Sequence, residues 1–83
     1  MLKDKVIVVT GGGGLIGSRF CEAIARHNGI SIVADTDIAK AEHTADVIVK
    51  STNGTAIPVN IDITRKADLE RSVDYLVAKF GRI

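Results

Sequence analysis

The chain has one cysteine, one proline, one tyrosine, two phenylalanines and no tryptophan in 83 residues, and each scarcity removes a class of protein. With Cys21 alone there is no internal disulfide framework and no cysteine-rich zinc site, which fits a reducing compartment. His27 and His43 have no partners at ligand spacing, so no metal site is expected. Eleven basic residues stand among ten acidic ones, leaving a net charge of +1 and no electrostatic footprint for nucleic acid or an anionic membrane. The apolar run Val6–Val9 is too short for a membrane span or a signal-peptide core. A cytoplasmic protein with neither nucleic acid nor membrane as partner is expected. What remains is a hydrophobic content of 46%, enough for a packed core at a length that leaves little stability margin.

The apolar residues alternate between two periods. Val6–Val9 is a β-branched run opening onto four consecutive glycines, the pattern of a strand buried on both faces. From Leu15 the period becomes helical, with Ile16, Phe20, Ala23 and Ile24 expected inward, Arg19, Glu22 and Arg26 outward, and Asn28-Gly29 as the stop. Ile30–Ala34 predicts a second strand, and Asp35-Thr36-Asp37 a turn and helix cap. The second helix is expected over 38–52, burying Ile38, Ala41, Ala45, Ile48 and Val49, with Val47 on its outer face and Asn53-Gly54 ending it. Thr55–Ile61 reads as a third strand, at the sheet edge because Pro58 lacks an N–H for the ladder. A third helix, capped by Thr64 and stopped by Gly81, carries the stripe Leu69, Val73, Leu76, Val77 and Phe80. The resulting βαβαβα order specifies an α/β fold with a parallel sheet and right-handed crossovers.

The stretch between the first strand and first helix carries the chemistry. Thr10-Gly11-Gly12-Gly13-Gly14-Leu15-Ile16-Gly17 has the glycines that let a pyrophosphate approach backbone N–H groups at a helix start, and Gly17 lets that helix pack close to the strand. Asp35 ends the second strand eighteen positions beyond Gly17. A carboxylate there can accept both hydroxyls of an adenosine ribose. Order and spacing fit a dinucleotide-binding Rossmann unit. A P-loop is the competing reading, but it needs a lysine where Gly17-Ser18-Arg19 has none. FAD and S-adenosylmethionine proteins share the βαβ unit and stay open as alternatives. Asp35 followed by Thr36 predicts NAD in preference to NADP, because a 2′-phosphate would meet a carboxylate and no arginine.

These residues, with Asp62-Ile63 after the third strand and the closing Phe80-Gly81-Arg82-Ile83, resemble the short-chain dehydrogenase/reductase family over the whole chain. The resemblance implies an oxidoreductase moving hydride between NAD and an alcohol or carbonyl, with Asp62 and the Ile63 backbone at the adenine ring. The residues assigned to the cofactor are Gly11, Gly13, Gly14, Leu15, Ile16, Gly17, Asp35, Asp62 and Ile63. Leu15 stands where the family's common TGxxxGxG loop has glycine; the spacing is nearer that of the extended branch of nucleotide-sugar epimerases and dehydratases, an alternative alongside a non-catalytic binding protein. The family's catalytic asparagine, serine, tyrosine and lysine follow the third helix. Residues 1–83 are thus expected to be the amino-terminal half of an NAD-binding domain, a partial doubly wound fold of strand order 3-2-1 without catalytic residues. Turnover is not expected from it, and the complete parent is expected to take a small-molecule substrate and form a homo-oligomer. Tyr75 and Lys79 reproduce the family's YxxxK spacing by coincidence, since Tyr75 lies roughly 150° from the third helix's apolar stripe.

Other polar residues read as structural. Arg19 pairs with Glu22 or solvent, His27 sits near free carbonyls in the last turn of its helix, and Cys21 packs as a small apolar group.

Overall fold

The structure is a computed structural model that describes residues 2–81 and 83. Its elements follow the expected order: β1 (Val6–Thr10), α1 (Leu15–Arg26), β2 (Ile30–Asp35), α2 (Ile38–Thr52), β3 (Thr55–Asn60) and α3 (Lys66–Phe80). The three strands are parallel, in the order β1-β2-β3. Pro58 stands opposite Val33 on the edge strand β3, where its missing N–H costs the sheet least. The ladder runs one bond beyond β3, Ile61 N–H donating to the Asp35 carbonyl at 3.1 Å.

β2 is central, and its alternation divides the core. Val33 faces Cys21 and Ala25 of α1 and Ala41, Ala45 and Ile48 of α2. Ile32, one residue earlier, faces the other way and packs with Val6 and with Leu76 of α3. Two helices therefore cover one face and the third the opposite face. Ile32, Val33 and Leu76 are the largest fully buried apolar side chains, each worth about 1.5–3 kcal/mol of transfer free energy.

The helix ends follow their local chemistry. Asn28 adopts φ 69°, with Asn28 N–H donating to Ala25 O at 3.1 Å and Gly29 N–H to Ile24 O at 2.9 Å, the two bonds of a Schellman motif. Asp37 caps α2 by accepting Lys40 N–H at 3.2 Å. Thr64 does not cap α3: Arg65 holds the N-cap position without a side-chain bond, and the Thr64 hydroxyl is spent on Asp62.

The buried faces differ from those expected. In α1 the residues against the sheet are Cys21 and Ala25, while Ile16, Phe20 and Ala23 are exposed. In α2, Ala41, Ala45 and Ile48 are buried as expected, with Thr44 beside them, but Ile38 and Val49 are exposed. In α3 the inward positions are Ser72, Leu76 and the half-buried Phe80, leaving Leu69, Val73 and Val77 largely exposed. In α1 and α2 the line of contact seats mainly small residues, Cys21 and Ala25 in the one and Ala41, Thr44 and Ala45 beside Ile48 in the other, and larger apolar groups flank it; in α3 the large Leu76 makes the contact, against Val6 and Ile32. On α1, Ser18 and Glu22 border the groove to α2, and at 100° per residue Phe20 and Ile16 project the opposite way, into solvent. The outer edge of β1 carries no strand among the described residues.

Candidate functional site

The strand ends Thr10, Asp35 and Ile61 open onto one cleft of about 380 Å³, whose walls also include Gly11, Thr36, Asp62, Ile63 and Thr64. A cleft at the carboxyl ends of parallel strands is where open α/β sheets bind ligands. The glycine loop reaches it by a left-handed turn at Gly11, φ 68°. Gly12 N–H then donates to Ala34 O at 2.8 Å and Gly14 N–H to Gly11 O at 3.0 Å, tying the loop to β2 and to itself. Gly14 is the N-cap of α1, and Ser18 N–H to Gly14 O, at 2.9 Å, is the first bond of the helix. The N–H groups of Leu15, Ile16 and Gly17 precede that bond and have no intrahelical acceptor, and no acidic residue occupies the first turn. Three backbone donors and the positive end of a helix thus converge where an anion would sit.

Gly17 is required by close approach. A Cβ at this position would lie 2.2 Å from Gly11 O and 2.9 Å from Gly11 C, so the loop and α1 touch backbone to backbone.

Asp35 joins the loop to β2. Its Oδ2 accepts Gly13 N–H at 3.1 Å and its Oδ1 accepts Asp37 N–H at 3.0 Å. The carboxylate is held from both sides by main chain, and each oxygen keeps acceptor capacity for a second donor. Asp62, across the cleft, is fixed by its own turn: its Oδ1 accepts Thr64 N–H at 3.0 Å and the Thr64 hydroxyl at 2.6 Å. Those two bonds, hydroxyl first, hold the Asp62 carboxyl below the usual carboxylate range, with a smaller contribution from Arg65. Asp62 N–H donates to Asp68 Oδ2 at 2.7 Å, and the other Asp68 oxygen pairs with Arg71. Ile63 is exposed at the rim.

Gly11, Asp35, Asp62 and Ile63 therefore share one cleft, Gly13 is bonded to Asp35, and Gly14, Leu15, Ile16 and Gly17 form the adjoining helix start. Thr10 and Ile61 also line the cleft and have no cofactor role assigned from sequence, their place at or just beyond a strand end being the available signal; Thr36, which bears on the expected NAD preference, lines it too. Tyr75 is half exposed on α3, with Lys79 Nζ 5.8 Å from its ring centroid, and neither lines the cleft. Glu22 pairs with Arg26 at 2.8 Å rather than with Arg19. Cys21 is buried. Burial pushes its thiol up, and the Ser31 hydroxyl beside it pulls it partly back.

Parallel strands with helices on both faces, and a glycine loop leading into a helix start beside an acid-tipped strand, define a doubly wound α/β unit of the Rossmann type. The chain belongs to the short chain dehydrogenase family, whose model matches residues 5–83. It is similar to the peroxisomal 2,4-dienoyl-CoA reductase of Mus musculus, 30% identical over all of this chain and 28% of the relative. The chain spans less than a third of the length of such curated relatives. Among solved structures it resembles a 7α-hydroxysteroid dehydrogenase complexed with NADH and 7-oxo glycochenodeoxycholic acid, with a TM-score of 0.90 and 28% identity over 99% of this chain and 32% of that one. A metagenomic short-chain oxidoreductase in complex with NADP, 22% identical over 98% of this chain and 36% of its own, shares the fold at a TM-score of 0.92. The family is one of oxidoreductases, and these likenesses do not favour the epimerase or dehydratase alternative. No helix among the described residues is long and apolar enough to cross a membrane.

Proposed function

We propose that this chain is the segment of a short-chain oxidoreductase that holds the adenosine and pyrophosphate of NAD. The observation that carries the proposal is the Asp35 carboxylate, clamped between Gly13 N–H and Asp37 N–H at the mouth of the cleft. The residues fit the cofactor part by part. Asp35 takes the two ribose hydroxyls, the N–H groups of Leu15, Ile16 and Gly17 take the pyrophosphate with Gly11 and Gly14 clearing its approach, and Asp62 with the Ile63 backbone takes the adenine edge. The nicotinamide end supplies the hydride chemistry, on a small-molecule alcohol or carbonyl held by parts of the protein outside residues 1–83. Those parts also carry the proton-transfer groups and the surfaces of a homo-oligomer, so this segment alone is a binding module without turnover. A lone, buried cysteine fits a cytoplasmic setting.

NAD is preferred to NADP because a 2′-phosphate both repels Asp35 and forfeits a charge-assisted hydrogen bond. Such a bond contributes roughly 1.5–3 kcal/mol, hence on the order of ten- to hundredfold in affinity. Calorimetric titration of the chain with NAD and with NADP, beside Asp35→Ala and the Asp35→Ala, Thr36→Arg pair, tests it. NAD is expected to bind more tightly, with a swing towards NADP in the double variant. Equal or tighter NADP binding by the unmodified chain overturns the assignment of Asp35 as the ribose ligand.

A further inference from the structure

We propose that Lys40 is a specificity-determining residue of this site, its ammonium reaching the ribose 2′ position that Asp35 guards and offsetting part of the repulsion of a 2′-phosphate. The inference rests on the reading of Asp35 as the ribose ligand and adds to it a cation that lies five positions further along the sequence.

Three observations set Lys40 beside Asp35, just outside the residues that line the cleft. A methyl group built on Gly13 would lie 2.8 Å from Lys40 Cβ and 2.9 Å from Asp35 Oδ2, so the root of the lysine side chain and the carboxylate stand within about 6 Å of each other. Lys40 is in the first turn of α2, its N–H bonded to the Asp37 cap at 3.2 Å. Helical side chains lean towards the amino terminus of their helix, which here is the Asp35-Thr36-Asp37 turn at the cleft. Finally, Lys40 is exposed and its ammonium makes no ion pair among the described residues, whereas Lys50 pairs with Asp46 and Lys66 with Glu70.

Electrostatics give this placement a sign. A cation in the first turn of a helix opposes the macrodipole. The two nearby carboxylates, Asp35 and Asp37, counter that penalty and draw the flexible stem towards the cleft. A lysine is a mobile point charge without the planar fork of an arginine. It therefore moderates the exclusion of NADP without reversing it, while contributing little to NAD, which carries nothing anionic at the 2′ position.

The test is the dissociation constants of NAD and NADP for the unmodified chain and for Lys40→Ala, Lys40→Glu, Lys40→Arg, Asp35→Ala and the Asp35→Ala, Lys40→Ala pair, at two salt concentrations. Lys40→Ala is expected to weaken NADP about five- to tenfold and NAD no more than about twofold, from a single screened charge a few ångströms from a dianion. Lys40→Glu should weaken NADP further, Lys40→Arg should restore it, and added salt should shrink the differences. Asp35→Ala should improve NADP relative to NAD, and the second substitution should remove most of that gain. Equal weakening of the two cofactors by Lys40→Ala, together with an NAD:NADP ratio that does respond to Asp35→Ala, overturns the role of Lys40 alone. A ratio indifferent to Asp35→Ala overturns the ribose assignment and this inference with it. If Asp35→Ala melts out, the Lys40 series and its salt dependence decide the role of Lys40, and Asp35→Asn replaces it in the pair.

Discussion

Replacing Gly17 with alanine sets two known effects against each other. In the interior of a helix, alanine is favoured over glycine by about 0.5–1 kcal/mol. Here the added Cβ would sit 2.2 Å from Gly11 O, 2.9 Å from Gly11 C and 3.0 Å from Gly12 Cα. All three are backbone atoms, so no side chain can swing aside. Bringing the closest contact to ordinary van der Waals distance moves the loop and α1 apart by roughly 1 Å, and overpacking of this kind typically costs 1–3 kcal/mol. The clash outweighs the propensity gain, and a net loss of about 1–2 kcal/mol is expected. For a domain of this size that lowers Tm by about 4–16 °C in a thermal melt. Cofactor affinity should fall further than stability, because the displaced Gly11 carbonyl accepts Gly14 N–H and so shapes the anion site. A Gly17→Ala chain at least as stable as the unmodified one, with NAD affinity intact, would refute the backbone contact between the loop and α1.

Two further perturbations probe the core and the second acid of the cleft. Ser31 is fully buried and its hydroxyl has no full-strength hydrogen-bond partner, only the weakly accepting Cys21 sulfur beside it, so Ser31→Ala should raise stability by about 1 kcal/mol in denaturant titration; a loss would show that the Cys21 sulfur is the stronger partner. Asp62 has a lowered folded pKa, so its contribution to stability is complete above the ordinary carboxylate range and is lost as pH falls through the lowered value. In Thr64→Val the stronger of its two donors is gone, and the carboxyl ¹³C titration midpoint of Asp62 should move up towards that range. An unmoved midpoint would contradict the role given to the Thr64 hydroxyl.

The chain wrote its boundaries more clearly than its faces. The β-branched run ending in glycines, Asp37 before α2, and Asn28, Asn53 and Gly81 after the helices are local signals, and the elements begin and end beside them. The glycine loop and Asp35 were legible for a similar reason: close backbone approach and a strand-end acid need particular residues at particular spacings. Inward faces depend on what each helix lies against, which periodicity alone does not encode. Ile16 and Phe20 make a more apolar stripe than Cys21 and Ala25, yet the small residues fit the gap above Val33, with Gly17 at the loop contact. Thr64 illustrates a competition between two local roles, its hydroxyl taken by the Asp62 carboxylate two residues back instead of by the helix start. Lys40 had no signature at all, since its nearness to Asp35 arises only when the loop, β2 and α2 are assembled.

The most direct measurement is a ¹H–¹⁵N correlation spectrum of the labelled chain titrated with NAD. The amides of Leu15, Ile16 and Gly17 should shift most, joined by those of Gly13, Asp37, Asp62 and Ile63, while Tyr75 and the carboxyl end of α2 stay unmoved. Saturable shifts centred on the groove between α1 and α2 at Ser18 and His43, or none at the start of α1, would contradict a dinucleotide held at the carboxyl ends of the strands.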